Sequence, residues 1–189
     1  MRKSVTVLLM MLVMPLFGGC AVALIGGAAA GGVMLAEDRR TVGTVTEDQG
    51  IELKAGSRIG ERVPSAHVNT TSFNKLVLLT GEAPNAAAKA DVERVARGVE
   101  NVRGVYNELQ IGPVSAISAR TNDAYITSKV KARLVDDRKV NPLHVKVVTE
   151  ASVVYLMGLV KRAEADAASE VARTTGGVAK VVRLFEYLD

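Results

Sequence analysis

From residue 45 onward the hydrophobic positions run through the same order twice. Ile51, Ala55 and Ile59 are spaced four apart, and so are Ile126, Val130 and Leu134, the spacing of one buried helix face. Val77-Leu78-Leu79-Thr80-Gly81 matches Val154-Tyr155-Leu156-Met157-Gly158, and His67-Val68 matches His144-Val145. Val95-Ala96 matches Val171-Ala172, and after a one-residue slip Val102 and Val105 match Val178 and Val181. Two units at this spacing indicate a tandem duplication.

Each unit predicts the same elements. In the second, Asp123 is placed to cap a helix carrying Ile126, Val130 and Leu134, and Pro142 closes that region. Val145, Val147 and Thr149 alternate as a strand, Glu150-Ala151-Ser152 makes a turn, and Val153 to Leu159 is a denser apolar strand suited to a central position. Ala163 to Thr174 is Ala-rich and helical, with Gly176 and Gly177 suited to its C-terminal cap. Val178 to Leu188 is the last strand. The order α-β-β-α-β gives an α+β fold, two helices packed on a three-stranded mixed sheet, because a strand–helix–strand step returns the chain parallel to the hairpin. Residues 45–112 and 122–189 are the two units, with 113–121 as linker.

The first residues follow a different logic. Arg2 and Lys3 precede an apolar run from Val5 to Phe17, and small residues lead to Cys20, the three-part pattern of a signal peptide over residues 1–19. Phe17-Gly18-Gly19-Cys20 resembles a lipobox, with Leu16 standing one place earlier than the usual pattern. That resemblance implies a diacylglycerol and an N-acyl chain on Cys20, enough acyl chains for stable anchoring. In such lipoproteins Asp after the cysteine marks inner-membrane retention; Ala21 here favours the outer membrane. Residues 20–44 then read as lipidated Cys and tether, with residues 21–36 an apolar Gly/Ala-rich spacer that includes Gly27 and Gly31 in a G-x-x-x-G.

Charge separates the two units. Net charge is +4, too little for the clustered Lys/Arg of a nucleic-acid binder. Residues 45–112 hold 8 Lys+Arg against 9 Asp+Glu, and residues 122–189 hold 11 against 9. In the second unit's first helix Lys129, Lys131 and Arg133 are countered only by Asp123 before Asp136. The same helix carries Tyr125, Ser128, Ala132 and Val135 on a face beside the core stripe. Tyr suits a membrane interface, with an apolar ring and a polar tip. Each basic residue near an anionic surface contributes about 1 kcal/mol. These seven residues are the candidate phospholipid-binding set. The plainer reading of such a helix is a solvated surface helix. In the first unit Gly50, Gly56 and Gly60 replace Tyr125, Lys131 and Val135, which predicts a shorter, weaker helix unsuited to a bilayer.

Catalytic chemistry is not legible. One cysteine excludes an internal disulfide, and no P-loop or G-x-S-x-G elbow occurs. His67 and His144 sit at matching strand starts, which favours a repeated structural role over metal ligation. Gly98 and Gly104 fall where a helix should end, and Glu164, Asp166 and Glu170 read as outward helix charges. No cofactor is expected beyond the acyl groups.

Thr41-Val42-Gly43-Thr44, Val105-Tyr106-Asn107-Glu108 and Leu156-Met157-Gly158-Leu159-Val160, in this element order, resemble the BON-domain family, and the lipid-anchored start resembles its dual-BON outer-membrane lipoproteins. The resemblance implies a non-enzymatic, periplasm-facing protein that binds anionic phospholipid such as phosphatidylglycerol or cardiolipin. It also implies support of envelope integrity and enrichment at division sites. The alternative is an adaptor for an envelope protein partner, with lipid only as anchor. A weaker third reading is a solute-binding module or an accessory to an envelope enzyme. Unit two is expected to read the membrane and unit one to serve as adaptor or packing partner.

Overall fold

The computed structural model describes residues 38–189; Cys20, the leader and most of the tether lie outside the described residues. Each unit has the expected α-β-β-α-β order. The first comprises α1 (Val42–Arg62), β1 (His67–Phe73), β2 (Leu76–Ala83), α2 (Ala86–Arg97), β3 (Gly104–Asn107) and β4 (Gln110–Ile111). The second comprises α3 (Ile117–Asp137), a 3-10 turn (Pro142–His144), β5 (Val145–Glu150), β6 (Val153–Val160), α4 (Arg162–Arg173) and β7 (Lys180–Tyr187). β2 is central between antiparallel β1 and parallel β3 and β4, which form one third strand broken at Glu108-Leu109. β6 is central between antiparallel β5 and parallel β7.

The helices cover one face of each sheet. Ile51, Ala55 and Ile59 of α1 pack with Val77 and Leu79 of β2 and Val92 and Ala96 of α2. Ile126, Val130 and Leu134 of α3 pack with Val154, Leu156 and Val160 of β6 and Ala168 and Ala172 of α4. Two glycines are fixed by close approach. A Cβ on Gly81 would lie 2.2 Å from the carbonyl oxygen of His67, and one on Gly158 would lie 2.4 Å from that of His144. The repeated His-Gly pairing is thus a backbone contact at the start of each hairpin.

Asp123 does not cap a helix. α3 begins at Ile117, inside the stretch read as linker, so Asp123 sits within it and is buried. Its two carboxylate oxygens accept hydrogen bonds from the amides of Ala151 (2.9 Å) and Ser152 (2.8 Å). Those residues form the two-residue turn between β5 and β6, and both have positive φ (49° and 63°), as a type I′ turn requires. Neither is glycine, so the turn is strained and the carboxylate holds it. The first unit repeats the device. Buried Asp48 accepts from the amides of Asn74 (2.8 Å) and Lys75 (2.7 Å), whose φ values are 49° and 64°. Asp48 also accepts from Ser72 Oγ at 2.6 Å and pairs with Arg40 at 2.8 Å.

The helix-free faces of the two sheets pack against each other. Phe73, Leu78, Tyr155, Met157 and Leu184 form a third core, flanked by Leu76, Tyr106, Val148, Val153, Leu159 and Val182. Polar links surround it: Asn69 donates to Glu150 (2.9 Å), Asn74 donates to Glu186 (2.7 Å), and Arg103 pairs with Glu186 (2.7 Å). Burial there, with Glu108 and Glu150 nearby, pushes the Tyr155 hydroxyl up to about 12. The end of the tether is strapped across both units. Arg39 forks onto Glu164 (2.7 and 2.9 Å) and donates to the Leu159 carbonyl, while the Arg40 guanidinium lies 3.9 Å over the Phe73 ring. Glu164 is therefore no simple outward charge. Gly98 does follow α2, though with φ −81° and no left-handed cap; Gly104 starts a strand; Gly177, at φ 99°, has the positive φ expected beyond α4.

Two predictions follow from these contacts. Asp123→Asn should lower stability by about 1.5–3 kcal/mol, because it weakens charge-assisted bonds to two turn amides. Chemical denaturation measures this, with exposed Asp166→Asn as a control within about 0.5 kcal/mol. The Arg39 hydrogen bond holds the Glu164 carboxyl below its ordinary value. Its contribution is present above the unfolded pKa, about 4.3, and is lost as pH falls through the folded value. The stability difference between wild type and Arg39→Ala should therefore narrow as a denaturation series is taken into that acid range.

Candidate functional site

α3 presents an uncharged face to solvent. Ile117, Thr121, Ala124, Tyr125, Ser128, Ala132 and Val135 follow at one- to four-residue steps and are all exposed. Ile117 is 75%, Tyr125 62% and Val135 59% exposed, unusual for large apolar groups on a surface helix. At 1.5 Å rise per residue the stripe runs for about 27 Å. The four apolar and small positions expected from sequence lie on it. Ile117, Thr121 and Ala124 extend it toward the N-terminus. The same spacing was readable upstream, but taking Asp123 as a cap hides it.

The three cations differ in use. Lys129 is half-buried, donates from Nζ to the carbonyl of Gly176, and lies 4.6 Å from the centre of the Tyr125 ring. Arg133 donates to the Val171 carbonyl (3.0 Å), Thr175 Oγ1 (2.7 Å) and Thr174 Oγ1 (3.1 Å). Both cations thus sit at the C-terminal end of α4, where positive charge is favoured by the helix dipole. Lys131 is exposed, and its side chain makes no hydrogen bond or ion pair among the described residues.

The first unit carries the same basic pair, Lys54 and Arg58, at the positions of Lys129 and Arg133. Arg58 donates to the Gly98 carbonyl (3.2 Å), and Lys54 pairs with Glu100 (3.2 Å). Nor is α1 shorter: both helices have 21 residues. A Cβ on Gly50, Gly56 or Gly60 would have nothing within 4 Å, so these glycines leave the packed face untouched, and Ile51, Ala55 and Ile59 hold the helix by tertiary burial. What distinguishes α3 is Tyr125, Lys131 and Val135. On α1 the exposed large apolar residues are Val42 and Leu53.

The first unit's histidine makes structural contacts. His67 Nδ1 bonds Glu82 (3.0 Å) and its Nε2 faces Arg120 (3.3 Å). Among the described residues no cluster of three or more His, Cys, Asp or Glu could hold a metal ion, and no helix is long and apolar enough to cross a membrane.

The BON domain family model matches residues 47–113 and 122–189. The outer membrane lipoprotein DolP of Haemophilus influenzae is 37% identical over 174 residues, which cover 90% of either chain. A 21 kDa hemolysin of Actinobacillus pleuropneumoniae is 34% identical, covering 80% of this chain and 79% of that one. The osmotically-inducible protein Y of Escherichia coli is 30% identical, covering 74% and 72%.

The different contacts of the two cations give separable outcomes. Arg133→Ala should cost about 1–2 kcal/mol of stability through its lost bonds to α4, whereas Lys131→Ala should change stability by less than about 0.5 kcal/mol. Thermal and urea unfolding of the two variants checks this.

Proposed function

The chain belongs to the BON-domain family, as a dual-BON outer-membrane lipoprotein of the DolP type, and from that premise we propose that the outer face of α3 binds anionic phospholipid. The observation that carries this is the uncharged, exposed stripe from Ile117 to Val135, with Tyr125 at 62% exposure and Lys129 and Lys131 on its flanks. A helix of this kind lies in the interface plane, apolar groups among the headgroups and cations toward phosphate. Phosphatidylglycerol and cardiolipin supply that charge. Lys131 is the leading headgroup contact; Lys129 shares its charge with the Gly176 carbonyl, and Arg133 acts mainly by fixing α3 to α4. The contact is weak alone, and a lipid on Cys20 makes it sufficient by raising the effective concentration. The protein is non-enzymatic in this reading, and membrane contact places it in the periplasm-facing leaflet, where it supports envelope integrity and collects at division sites.

One observation favours a second role for the first unit. Leu53 is 76% exposed on α1, next to the open positions at Gly50, Gly56 and Gly60. That face suits an envelope protein partner, with unit one as adaptor.

Residues 38–189 without lipid should cosediment with liposomes in proportion to their anionic content and release with salt. Tyr125→Glu should abolish cosedimentation and leave the circular dichroism spectrum and melting temperature unchanged. Retention of binding by Tyr125→Glu would exclude α3 as the contact.

A further inference from the structure

A second candidate site lies between the two units, on the flank of α3 rather than on its outer face. It is a cleft of about 360 Å³, lined by His67, Asn69 and Thr80 from the first sheet, Arg120 and Thr127 from α3, and Glu150 from β5. The volume is at the small end of ligand pockets, about 300–1,000 Å³. It suits one headgroup or one sugar ring and excludes an acyl chain.

Its polar groups are incompletely used. Thr80 is 1% exposed, yet its Oγ1 has no hydrogen-bond partner among the described residues. The buried Nε of Arg120 has none either. Glu150, 5% exposed, takes one bond from Asn69 to its Oε2. A hydroxyl kept this deeply without a partner is costly where valine of the same shape would be neutral or better. Both atoms are fully buried, so a ligand reaches them as the Thr80 and Arg120 side chains turn toward the cleft; with Glu150 they then supply an acceptor, an N–H donor and a hydroxyl that can do either.

The charge balance narrows the ligand. Arg120 is the cation of the cleft, and its Nη1 faces His67 Nε2, while His67 bonds Glu82. Glu150 and Glu82 therefore disfavour a free anion. Asp123 also lines the cleft; each of its oxygens takes one bond from a turn amide and keeps a lone pair, which adds to the acceptors and the negative charge. A group with neighbouring hydroxyls meets all three needs: its O–H donates to Glu150, and its oxygens accept from Arg120 Nε and Thr80.

We propose that this cleft binds a neutral polyol, engaging vicinal hydroxyls through Glu150, Thr80 and Arg120. The hydroxyls have two sources, a free sugar or the glycerol headgroup of a phospholipid held at α3; only the second rests on the lipid reading above.

The test uses the full-length lipidated protein, isotope-labelled, in nanodiscs and free of sugar detergents. The Arg120 Nε–H and Thr80 amide resonances are followed in two series. One adds glucose to neutral nanodiscs. The other compares phosphatidylglycerol with phosphatidylserine, equal in charge but without the diol. Saturable shifts with glucose support a free sugar. Shifts with phosphatidylglycerol and not phosphatidylserine support the headgroup. Thr80→Val should weaken either response about tenfold or more, with an unchanged or raised melting temperature and unchanged membrane binding through Tyr125. Absence of shifts in both series overturns the proposal, as do equal shifts with the two lipids and none with glucose, or an undiminished response in Thr80→Val. Failure of α3 to bind membranes would appear separately, as unmoved Tyr125 signals with either lipid, and the glucose series still decides the cleft.

Discussion

A carboxylate buried in the first helix of each unit, reaching the tip of the hairpin beneath it, is the constraint on which the fold is built. Asp48 and Asp123 each accept from both amides of a two-residue turn whose φ values are positive and whose residues are not glycine. Without the carboxylate such a turn is unfavourable, and without the turn amides Asp123 would lose both its hydrogen bonds while buried and Asp48 would keep only Ser72 and Arg40. Each therefore requires the other. Together they set where the helix crosses the sheet, and thereby which side of α1 and α3 faces outward. The outward face of α3 is available to a membrane because its inward face is located by Asp123, Ile126, Val130 and Leu134.

The repeat made much of this legible. Apolar residues four apart identify the buried stripes, and the dense run from Val153 to Leu159 identifies a central strand, because burial imposes those periods locally. Asp123 was misread for a physical reason: an acidic residue just ahead of an apolar helical pattern has the signature of an N-cap, and its actual partners are 28 and 29 residues away. The helix start moved with it, hiding Ile117. The packing of one sheet on the other was hinted at by β6, where Val154 and Leu156 serve the helices while Tyr155 and Met157 face the other unit. Apolarity on both faces says that something covers the strand, not what. The glycines of α1 misled in the opposite direction, since propensity suggested a short helix and burial of Ile51, Ala55 and Ile59 produced a full-length one.

Set side by side, the two units show what duplication kept and what it changed. The turn clamp, the His–Gly close approach and the basic residues at the end of the second helix recur, and all serve the fold. Of the seven candidate lipid residues, Lys129 and Arg133 recur as Lys54 and Arg58; Tyr125, Lys131 and Val135 stand where α1 has glycines, and Ser128 and Ala132 where it has Leu53 and Ser57. Lys129 and Arg133 keep their charge, but their N–H groups are already held by neutral acceptors, the Gly176 carbonyl and the Val171 carbonyl and Thr175 hydroxyl, whereas the Lys131 side chain is uncommitted. In the proposed reading, function in the second unit rests on an apolar stripe with flanking charge, an arrangement that suits a tethered protein.

The central claim is that α3, and not α1, meets the bilayer. Paramagnetic relaxation from spin-labelled lipids in phosphatidylglycerol vesicles, recorded on residues 38–189, tests it residue by residue. Strong broadening should follow Ile117, Tyr125, Ser128, Ala132 and Val135 with helical period and leave Val42, Leu53 and Gly60 sharp. Broadening centred on α1, or spread evenly over both helices, would contradict the account.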